Sequence, residues 1–416
     1  MAGEGVKAIK AGRLIDGTGA APVENVTVII ENSNIKAVGQ DIKIPNEAQI
    51  IDAAGKTVMP GMIDAHMHLW GTKPDDTYAE EISRRLEVRV IKAIADAKSY
   101  LKAGFTTVKD CGGMNGIFLK QAAREGDLTG VPRIVASGYP LTSTIGNPYP
   151  YMPNEYIDAR TSKISGQQGG QTLICDGVDE CIKAARYVLR QGADFVKVWS
   201  RGGSEFNPDE LKAIVQSAAE VDKFVTIHCD NARVAQKSII AGIKTIDHAV
   251  GIDDKAVEMG NKAGVIFVST MICMQSLITY GNAEISPLHG PEWAKGMLEK
   301  MCLGYKKIHQ AGGILAIGTD AGGEKLIEKL GSSALEIELL VKLCDFSPME
   351  AILAATKNAA MACFIGDKTG TIEPGKLADI IIVDGDPLAD IKILQDAEKI
   401  KMVMLEGKVE SDRSAH

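Results

Sequence analysis

Between Met59 and about Ile365 the sequence alternates short apolar runs with longer amphipathic stretches. This alternation predicts repeated strand–helix–strand units around a parallel sheet. Eight runs have the length and composition of buried strands: Met62–Leu69, Thr106–Asp110, Arg133–Gly138, Phe195–Trp199, Phe224–Cys229, Thr245–His248, Val265–Thr270 and Ile314–Asp320. Eight such units over roughly 300 residues match a (β/α)₈ TIM barrel, and a doubly wound open sheet is the structural alternative.

The connections between these strands contain helical candidates and one unusually long segment. The helical candidates are Glu80–Lys102, Asp179–Gln191, Asp209–Val221, Ala232–Ala241 and Trp293–Gln310. The segment Thr142–Gly177 follows the third strand and is rich in Gly, Ser, Pro, Tyr and Asn. Long loops inside compact domains tend to be functional, so we expect this segment to lie over the barrel mouth.

Both ends of the chain are typical of small antiparallel strands. From Val6 to Val58, β-branched runs are separated by Gly and Asn, and after Gly366 the sequence returns to strands such as Ala378–Val383. We therefore predict an α/β protein in which residues 60–365 form a catalytic TIM barrel. Residues 1–59 and 366–416 are predicted to build one small β-sandwich domain together.

The charge balance and the cysteines narrow the class of partner. The 416 residues carry a net charge of -8 without a Lys/Arg-rich run, which argues against nucleic acid or an anionic membrane surface. The eight cysteines are scattered without a CxxC pair, as in a reducing compartment. No secretory signal and no apolar membrane span is visible. We expect a cytoplasmic homo-oligomer that acts on a small molecule.

Four of the seven histidines fall at the carboxyl ends of predicted barrel strands. His66 and His68 are two residues apart on the first strand, so both imidazoles point to the same face. His228 ends the fifth strand, and His248 ends the sixth. Two nearby histidines alone would fit a packing role equally well. Because strand ends of such barrels converge, the four histidines together predict a metal site.

Two further residues extend this pattern. Asp320 follows the apolar run of the eighth strand, where a carboxylate can bind metal. Lys197 lies within the fourth strand, which should line the barrel interior. An ammonium beside metal ions is strongly repelled. Lys197 is therefore either an ion-paired structural lysine or a chemically modified one.

These motifs resemble those of the metal-dependent amidohydrolase superfamily. The barrel opening Pro60–His68 reads PGMIDAHMH and the closing stretch Gly370–Asp379 reads GTIEPGKLAD, and both are similar to the ends of that family. The resemblance covers nearly the whole chain. It implies two divalent metal ions, with zinc expected, and a bridging N6-carboxylysine at Lys197. The implied ligands are His66, His68 and Asp320 on one ion and His228 and His248 on the other.

The same resemblance implies a reaction. A carboxylated Lys197 is negatively charged and offers two oxygens, which answers the charge objection. In the family, a hydroxide bridges the metal ions while the carbonyl is polarised, and Asp320 would accept a proton and pass it to the leaving nitrogen. We therefore expect hydrolysis of an amide or peptide-like C–N bond in a small substrate, such as a dipeptide or an N-acyl amino acid.

Within the superfamily, the chain resembles the group of Xaa-Pro dipeptidases and imidazolonepropionase-related proteins. That group commonly has a histidine in a glycine-rich loop after the third strand, where this chain has Asn147. Asn147 could still donate a hydrogen bond to the substrate. The other candidate substrate contacts are Tyr149, Tyr151, Arg201 and Asp230. Loop packing is the alternative role for the tyrosines, and Arg201 is either a plain loop arginine or a carboxylate-binding one.

Three other functions stay open. The substrate could be a cyclic amide, such as a lactam, an imide or an imidazolone. A deaminase on the same barrel would need a glutamate three residues after the fifth-strand histidine, and Asn231 occupies that position. An inactive barrel that serves as an assembly module would have lost ligands, whereas all six ligand candidates are present.

Overall fold

The computed structural model of the protein describes residues 5–74, 80, 83–146, 172–200, 206–281, 290–322 and 325–413. Its strands are β1 (Val6–Leu14), β2 (Val23–Glu31), β3 (Asn34–Gly39), β4 (Gln49–Pro60), β5 (Met62–Met67), β6 (Phe105–Asp110), β7 (Arg133–Ala136), β8 (Leu141–Thr142), β9 (Leu173–Ile174), β10 (Phe195–Trp199), β11 (Phe224–His228), β12 (Thr245–Asp247), β13 (Ile266–Ser269), β14 (Ile314–Ile317), β15 (Ile380–Val383), β16 (Ile400–Leu405) and β17 (Lys408–Asp412). Its helices are α1 (Leu86–Lys102), α2 (Asn115–Glu125), α3 (Val178–Arg190), α4 (Pro208–Ala219), α5 (Ala232–Ala241), α6 (Asp254–Ala263), α7 (Met271–Tyr280), α8 (Pro291–Gln310), α9 (Leu335–Leu343), α10 (Pro348–Ala354) and α11 (Lys357–Ala362).

The central strands close into a barrel. β5, β6 and β7 form one parallel ladder, and β10 to β14 form a second parallel ladder in chain order. Backbone hydrogen bonds join the two ladders on both sides. Asp194 N–H donates to the Ala136 carbonyl (2.7 Å), and Thr319 N–H donates to the His66 carbonyl (2.8 Å). The predicted (β/α)₈ barrel is therefore confirmed, and the open-sheet alternative is wrong.

The barrel interior is filled by side chains. Every residue of β5 and β6 is buried, as expected for strands covered on both faces. Lys109 on β6 is completely buried, and its ammonium donates to the Thr226 hydroxyl (2.9 Å) and the Ala362 carbonyl (3.0 Å). The same ammonium lies 4.7 Å from the centre of the Phe195 ring. These contacts satisfy a buried cation deep in the barrel.

Several barrel strands end earlier than predicted. β5, β12 and β14 stop before the ligand candidates that follow them, which are His68, His248 and Asp320. His248 and Asp320 have φ values of 66° and 61°, and this left-handed backbone ends the extended conformation. The segment predicted as one loop over Thr142–Gly177 also contains β9, which pairs with β8. Residues 147–171 lie outside the described residues.

The helix predicted over Glu80–Lys102 is interrupted: Glu80 and Ser83 are helical, but the helix does not continue through Arg85. Arg85 has an extended backbone with ψ of 145°, and α1 begins at Leu86. The other four helical candidates correspond to α3, α4, α5 and α8. In the part of the chain that the structure describes, no helix is both long and apolar enough to cross a bilayer.

Both chain ends contribute to one seven-stranded sheet. The strand order is β17-β16-β15-β4-β1-β2-β3, in which β15 pairs antiparallel with β4. β15 is apolar on both faces because it separates two cores: Ile381 and Val383 pack against the barrel, whereas Ile380 and Ile382 pack within the sheet. The predicted pairing of strands from both chain ends is present in this sheet, and the division into a β-sandwich domain stays a prediction. The exact domain boundaries stay a prediction.

Candidate metal centre

His66, His68 and Asp320 meet at the carboxyl end of the barrel. His66 lies at the end of β5 and His68 follows that strand directly, whereas Asp320 follows β14, the neighbour of β5 across the barrel closure. Asp320 Oδ1 lies 3.1 Å from His68 Nε2 and 3.4 Å from His66 Nε2. One ligand atom from each of the three residues lies within 4.8 Å of the other two. This spacing fits three ligands of one divalent metal ion.

His228 and His248 border the same space. The register of β11 and β12 places His228 opposite Asp247, the residue before His248. The His228 and His248 ring centroids are 4.3 Å apart, and the His66 and His248 centroids are 4.6 Å apart. The structure therefore brings together all four histidines that the sequence analysis selected.

Lys197 lies beside this histidine cluster on β10. Its side chain is buried, and its ammonium forms an ion pair with the Asp247 carboxylate. Asp247 Oδ2 also lies 2.8 Å from His66 Nδ1. Burial raises the pKa of Asp247, but the charges of Lys197 and His66 outweigh burial and hold that pKa below its usual range. Unmodified Lys197 is thus an ion-paired lysine, and its carboxylation stays a prediction.

Burial favours the metal-binding form of two of the four imidazoles. It lowers the pKa of His68, and with the nearby His66 it lowers the pKa of His248 well below its usual value. Neutral imidazoles are the metal-binding form. Burial acts to raise the pKa of Asp320, but hydrogen bonds from His66 and His68 hold it well below its usual range. Burial also acts to lower the pKa of His66, but Cys111 and Asp247 raise it well above its usual value. The cluster therefore combines neutral imidazoles at His68 and His248 with an ionised carboxylate at Asp320.

Asp64 joins the two strand ends that carry His66 and Asp320. Its carboxylate accepts hydrogen bonds from His66 N–H (3.1 Å), Thr319 N–H (3.1 Å) and the Thr319 hydroxyl (2.6 Å). Burial raises the pKa of Asp64 to about 6, although these hydrogen bonds oppose the shift. Gly322, with φ of +80°, lies so close to β5 that an added Cβ would stand 1.9 Å from the His68 carbonyl oxygen. Glycine is therefore required where the chain leaves Asp320.

Two tryptophans stand beside the ligand candidates. The ring centroid of Trp70 lies 4.3 Å from that of His68, and the centroids of Trp70 and Trp199 are 6.4 Å apart. The Trp70 indole N–H donates to the Gly112 carbonyl (2.8 Å), which holds the ring in place. The Trp199 centroid lies 6.4 Å from that of His228. These rings supply flat apolar surface next to the polar cluster.

Most of the predicted substrate contacts lie outside the described residues, namely Asn147, Tyr149, Tyr151 and Arg201. Asp230 is described and partly buried, and its Oδ1 accepts a hydrogen bond from Asn231 Nδ2 (2.9 Å). Asn231 Oδ1 in turn accepts from Val234 N–H (2.9 Å) and caps the start of α5. Asn231 occupies the position at which a deaminase would need a glutamate, and its side chain caps a helix instead. The substrate contacts stay predictions.

Besides Asp64, three polar residues that contact the ligand candidates were missed by the sequence analysis. Asp247 contacts Lys197, Thr270 Oγ1 lies 2.8 Å from His248 Nδ1, and the Tyr305 hydroxyl donates to the His248 carbonyl (2.8 Å). Asp247 ends a strand and could have been found as a strand-end carboxylate. Thr270 and Tyr305 are 22 and 57 positions from His248, and no sequence pattern indicates their contacts.

Known proteins share this architecture. The model of the amidohydrolase family matches residues 57–409. Ochratoxinase of Aspergillus niger is 29% identical to this chain, over 97% of this chain and 86% of the relative. Imidazolonepropionase of a Geobacillus species is 25% identical, over 87% and 84%. The crystal structure of a Xaa-Pro dipeptidase with bound methionine in the active site superposes with a TM-score of 0.85 at 27% identity, over 97% and 99%.

A barrel whose strand ends gather histidines and a carboxylate, in a fold shared with these relatives, defines an enzyme of the hydrolase class. Because the family model covers most of its length, the chain belongs to the amidohydrolase family. It is a hydrolase that acts on carbon–nitrogen bonds.

Proposed function

We propose that the chain is a binuclear metal-dependent amidohydrolase that cleaves an amide or peptide-like C–N bond in a small substrate, such as a dipeptide or an N-acyl amino acid. The observation that carries this proposal is the convergence of His66, His68 and Asp320, whose ligand atoms lie within 4.8 Å of one another. His228 and His248 extend the same cluster. The donor set combines imidazoles with carboxylates, which suits divalent zinc.

Each ligand candidate has a proposed place. His66, His68 and Asp320 would hold one ion, His228 and His248 would hold the second, and a carboxylated Lys197 would lie between them. Bound divalent ions lower the pKa of water and polarise a scissile carbonyl. The protein contributes imidazole and carboxylate ligand atoms, and burial lowers the pKa of His68 and His248 so that these two rings are neutral. The chemistry of the residues present therefore fits the cofactor.

Asp320 is the proposed general base and acid. Its side chain is 25% exposed, so it faces the open end of the barrel where a substrate arrives. The hydrogen bonds from His66 and His68 keep it ionised against the effect of burial. An ionised carboxylate there can take a proton from the attacking water and deliver it to the leaving nitrogen.

The relatives support a small amide substrate. The dipeptidase structure has methionine bound in its active site, so that fold holds a ligand of amino-acid size. The likeness to imidazolonepropionase favours a second candidate function, hydrolysis of a cyclic amide. A deaminase is less well supported, because Asn231 caps α5 instead of facing a substrate as a proton donor. An inactive assembly module is disfavoured by the intact cluster of ligand candidates.

The proposal includes a cytoplasmic, homo-oligomeric enzyme. None of the eight cysteines, all of which lie in described segments, forms a disulfide. That state is the one expected in a reducing compartment. The homo-oligomer stays a prediction that size-exclusion chromatography with light scattering can test.

A hydrolysis screen tests the proposed activity. Zinc-loaded protein is assayed against dipeptides, N-acyl amino acids, lactams and imides, and metal content is measured in parallel. We expect about two ions per chain, as in two-metal hydrolases, and cleavage of linear amides. Cleavage of only the cyclic substrates would favour the second candidate function.

Substitution of the ligand candidates provides the matching control. The double substitution His66→Ala with His228→Ala should lose both metal and activity. His309→Ala should keep both, because His309 lies on α8 and pairs with Glu350 (2.9 Å) away from the cluster. Full metal occupancy in the double variant would contradict the proposed site.

A further inference from the structure

His248 has a backbone conformation that residues with a Cβ seldom adopt. Its φ is 66°, and that of the following Ala249 is 45°. Such a left-handed turn persists only where neighbouring groups hold it in place. β12 ends at Asp247, so the turn begins at the proposed metal ligand itself.

Tyr305 holds the backbone of this turn. Its hydroxyl donates to the His248 carbonyl (2.8 Å) and accepts a hydrogen bond from Thr270 N–H (3.2 Å). These two groups belong to the connections after β12 and after β13. One hydroxyl therefore joins the ends of two neighbouring barrel strands. The side chain of Tyr305 is completely buried, so water has no access to replace the hydroxyl.

Thr270 holds the imidazole ring of the same residue. Its Oγ1 lies 2.8 Å from His248 Nδ1, and both side chains are buried. When Nε2 binds a metal ion, Nδ1 carries the proton and Thr270 Oγ1 accepts it in a hydrogen bond. This contact sets both the tautomer and the orientation of the ring.

The surrounding elements bring the two hydroxyls into position. An added Cβ at Gly304 would lie 3.2 Å from the Ala249 carbonyl oxygen, so the glycine lets α8 approach the turn and place Tyr305 against it. On the other side, the buried Glu336 carboxylate accepts hydrogen bonds from Met271 N–H (3.0 Å) and Ile272 N–H (2.7 Å). These bonds fix the chain immediately after Thr270.

We infer that Thr270 and Tyr305 are positioning residues for His248, which set the affinity of the metal ion assigned to His228 and His248. This inference rests on the proposed binuclear function. The other proposed ion depends on a separate set of supports, because Asp64 holds the strand ends that carry His66 and Asp320. Loss of either hydroxyl should therefore weaken binding of the ion assigned to His228 and His248. Binding of the other ion should not change.

The test is a Zn²⁺ titration of the metal-free protein in competition with a chromophoric chelator. The proteins compared are wild type, Tyr305→Phe, Thr270→Val and Thr270→Ser. Tyr187→Phe is the control, because Tyr187 lies on α3 with 47% of its surface exposed. We expect wild type, Thr270→Ser and Tyr187→Phe to bind two ions. Tyr305→Phe and Thr270→Val should bind one ion normally and the second about 10–100-fold more weakly.

The outcomes separate this inference from the function on which it rests. If both Tyr305→Phe and Thr270→Val bind two ions at wild-type affinity, the positioning role is wrong. The proposed binuclear metal site would still be supported by that result. Equal weakening of both ions would also overturn it. Fewer than two ions in wild type would instead contradict the binuclear function. If the melting temperature shows that Tyr305→Phe does not fold, Thr270→Val, which keeps the shape of the side chain, decides the question.

Discussion

The ammonium of Lys197 and the carboxylate of Asp247 form a buried ion pair beneath the histidine cluster. Both side chains are nearly inaccessible, at 3% and 0% exposure. A buried charge is tolerated only while its partner is present. Because Asp247 also lies 2.8 Å from His66 Nδ1, one carboxylate contacts both a proposed ligand and the proposed bridging lysine.

We predict that metal loading converts Lys197 into a carbamate. Two dications would repel the ammonium strongly, whereas a carbamate would attract them. Protein loaded with zinc in isotopically labelled bicarbonate should show a carbamate signal by NMR, and Lys197→Ala should lack it. Short carboxylic acids should partly restore the activity of Lys197→Ala. A free amine at Lys197 in fully metal-loaded protein would rule out the modification.

Asp320→Asn should abolish most turnover without removing the metal ions. General acid–base assistance contributes about 10²–10⁴-fold, and loss of both proton transfers should place the fall in kcat near the top of that range. KM should change less. Asp345→Asn is a matched control, because Asp345 has the same left-handed φ of 61°. A fall in kcat of less than about tenfold, at equal metal content, would assign the proton transfer to another group.

The ion pair between Arg133 and Asp379 should stabilise the junction of the barrel and the chain-end sheet. Arg133 Nη1 lies 2.6 Å from Asp379 Oδ2, and the Asp379 side chain is 1% exposed. Asp379→Ala leaves a largely buried guanidinium without this partner, so we expect a loss of about 3–5 kcal/mol in the free energy of unfolding. Breaking the exposed pair of Arg186 and Glu220 by Glu220→Ala should cost under about 1 kcal/mol. Urea denaturation of both variants measures the difference, and equal losses would contradict the prediction.

Glu336 should make stability depend on pH. Burial raises the pKa of Glu336 from 4.5 to about 7, against the opposing hydrogen bonds from Ser269, Met271 and Ile272. The folded protein therefore holds this proton more tightly than the unfolded chain, and stability is lost as the pH rises from about 4.5 to about 7. Glu336→Gln removes the titrating carboxyl group and with it this part of the pH dependence of stability.

The measurement is the free energy of unfolding of wild type and of Glu336→Gln at several pH values from about 5 to about 8, which span the raised pKa of about 7. Relative to the variant, wild type should lose on the order of 3 kcal/mol between about pH 5 and about pH 8. A difference that does not change with pH would show that Glu336 titrates normally in the folded protein.

Much of this protein could be predicted from local patterns. Strand periodicity and apolar runs depend on neighbouring residues, so they indicated the barrel strands and predicted that His66 and His68 share one face. Parallel strands end at the same edge, which is why His228, His248 and Asp320 could be expected near them. The same local strand patterns occur at both chain ends, so the sequence also predicted that the two ends form β structure together.

Tertiary structure alone decided how these side chains are held. Asp247 pairs with Lys197 only because β10 and β12 both flank β11, and Tyr305 reaches His248 only because α8 packs against the turn after β12. The left-handed backbone at His248 likewise depends on partners far away in the chain. A sequence pattern reports the preferences of neighbouring residues, whereas these contacts arise from packing between distant segments, so only the folded chain could determine them.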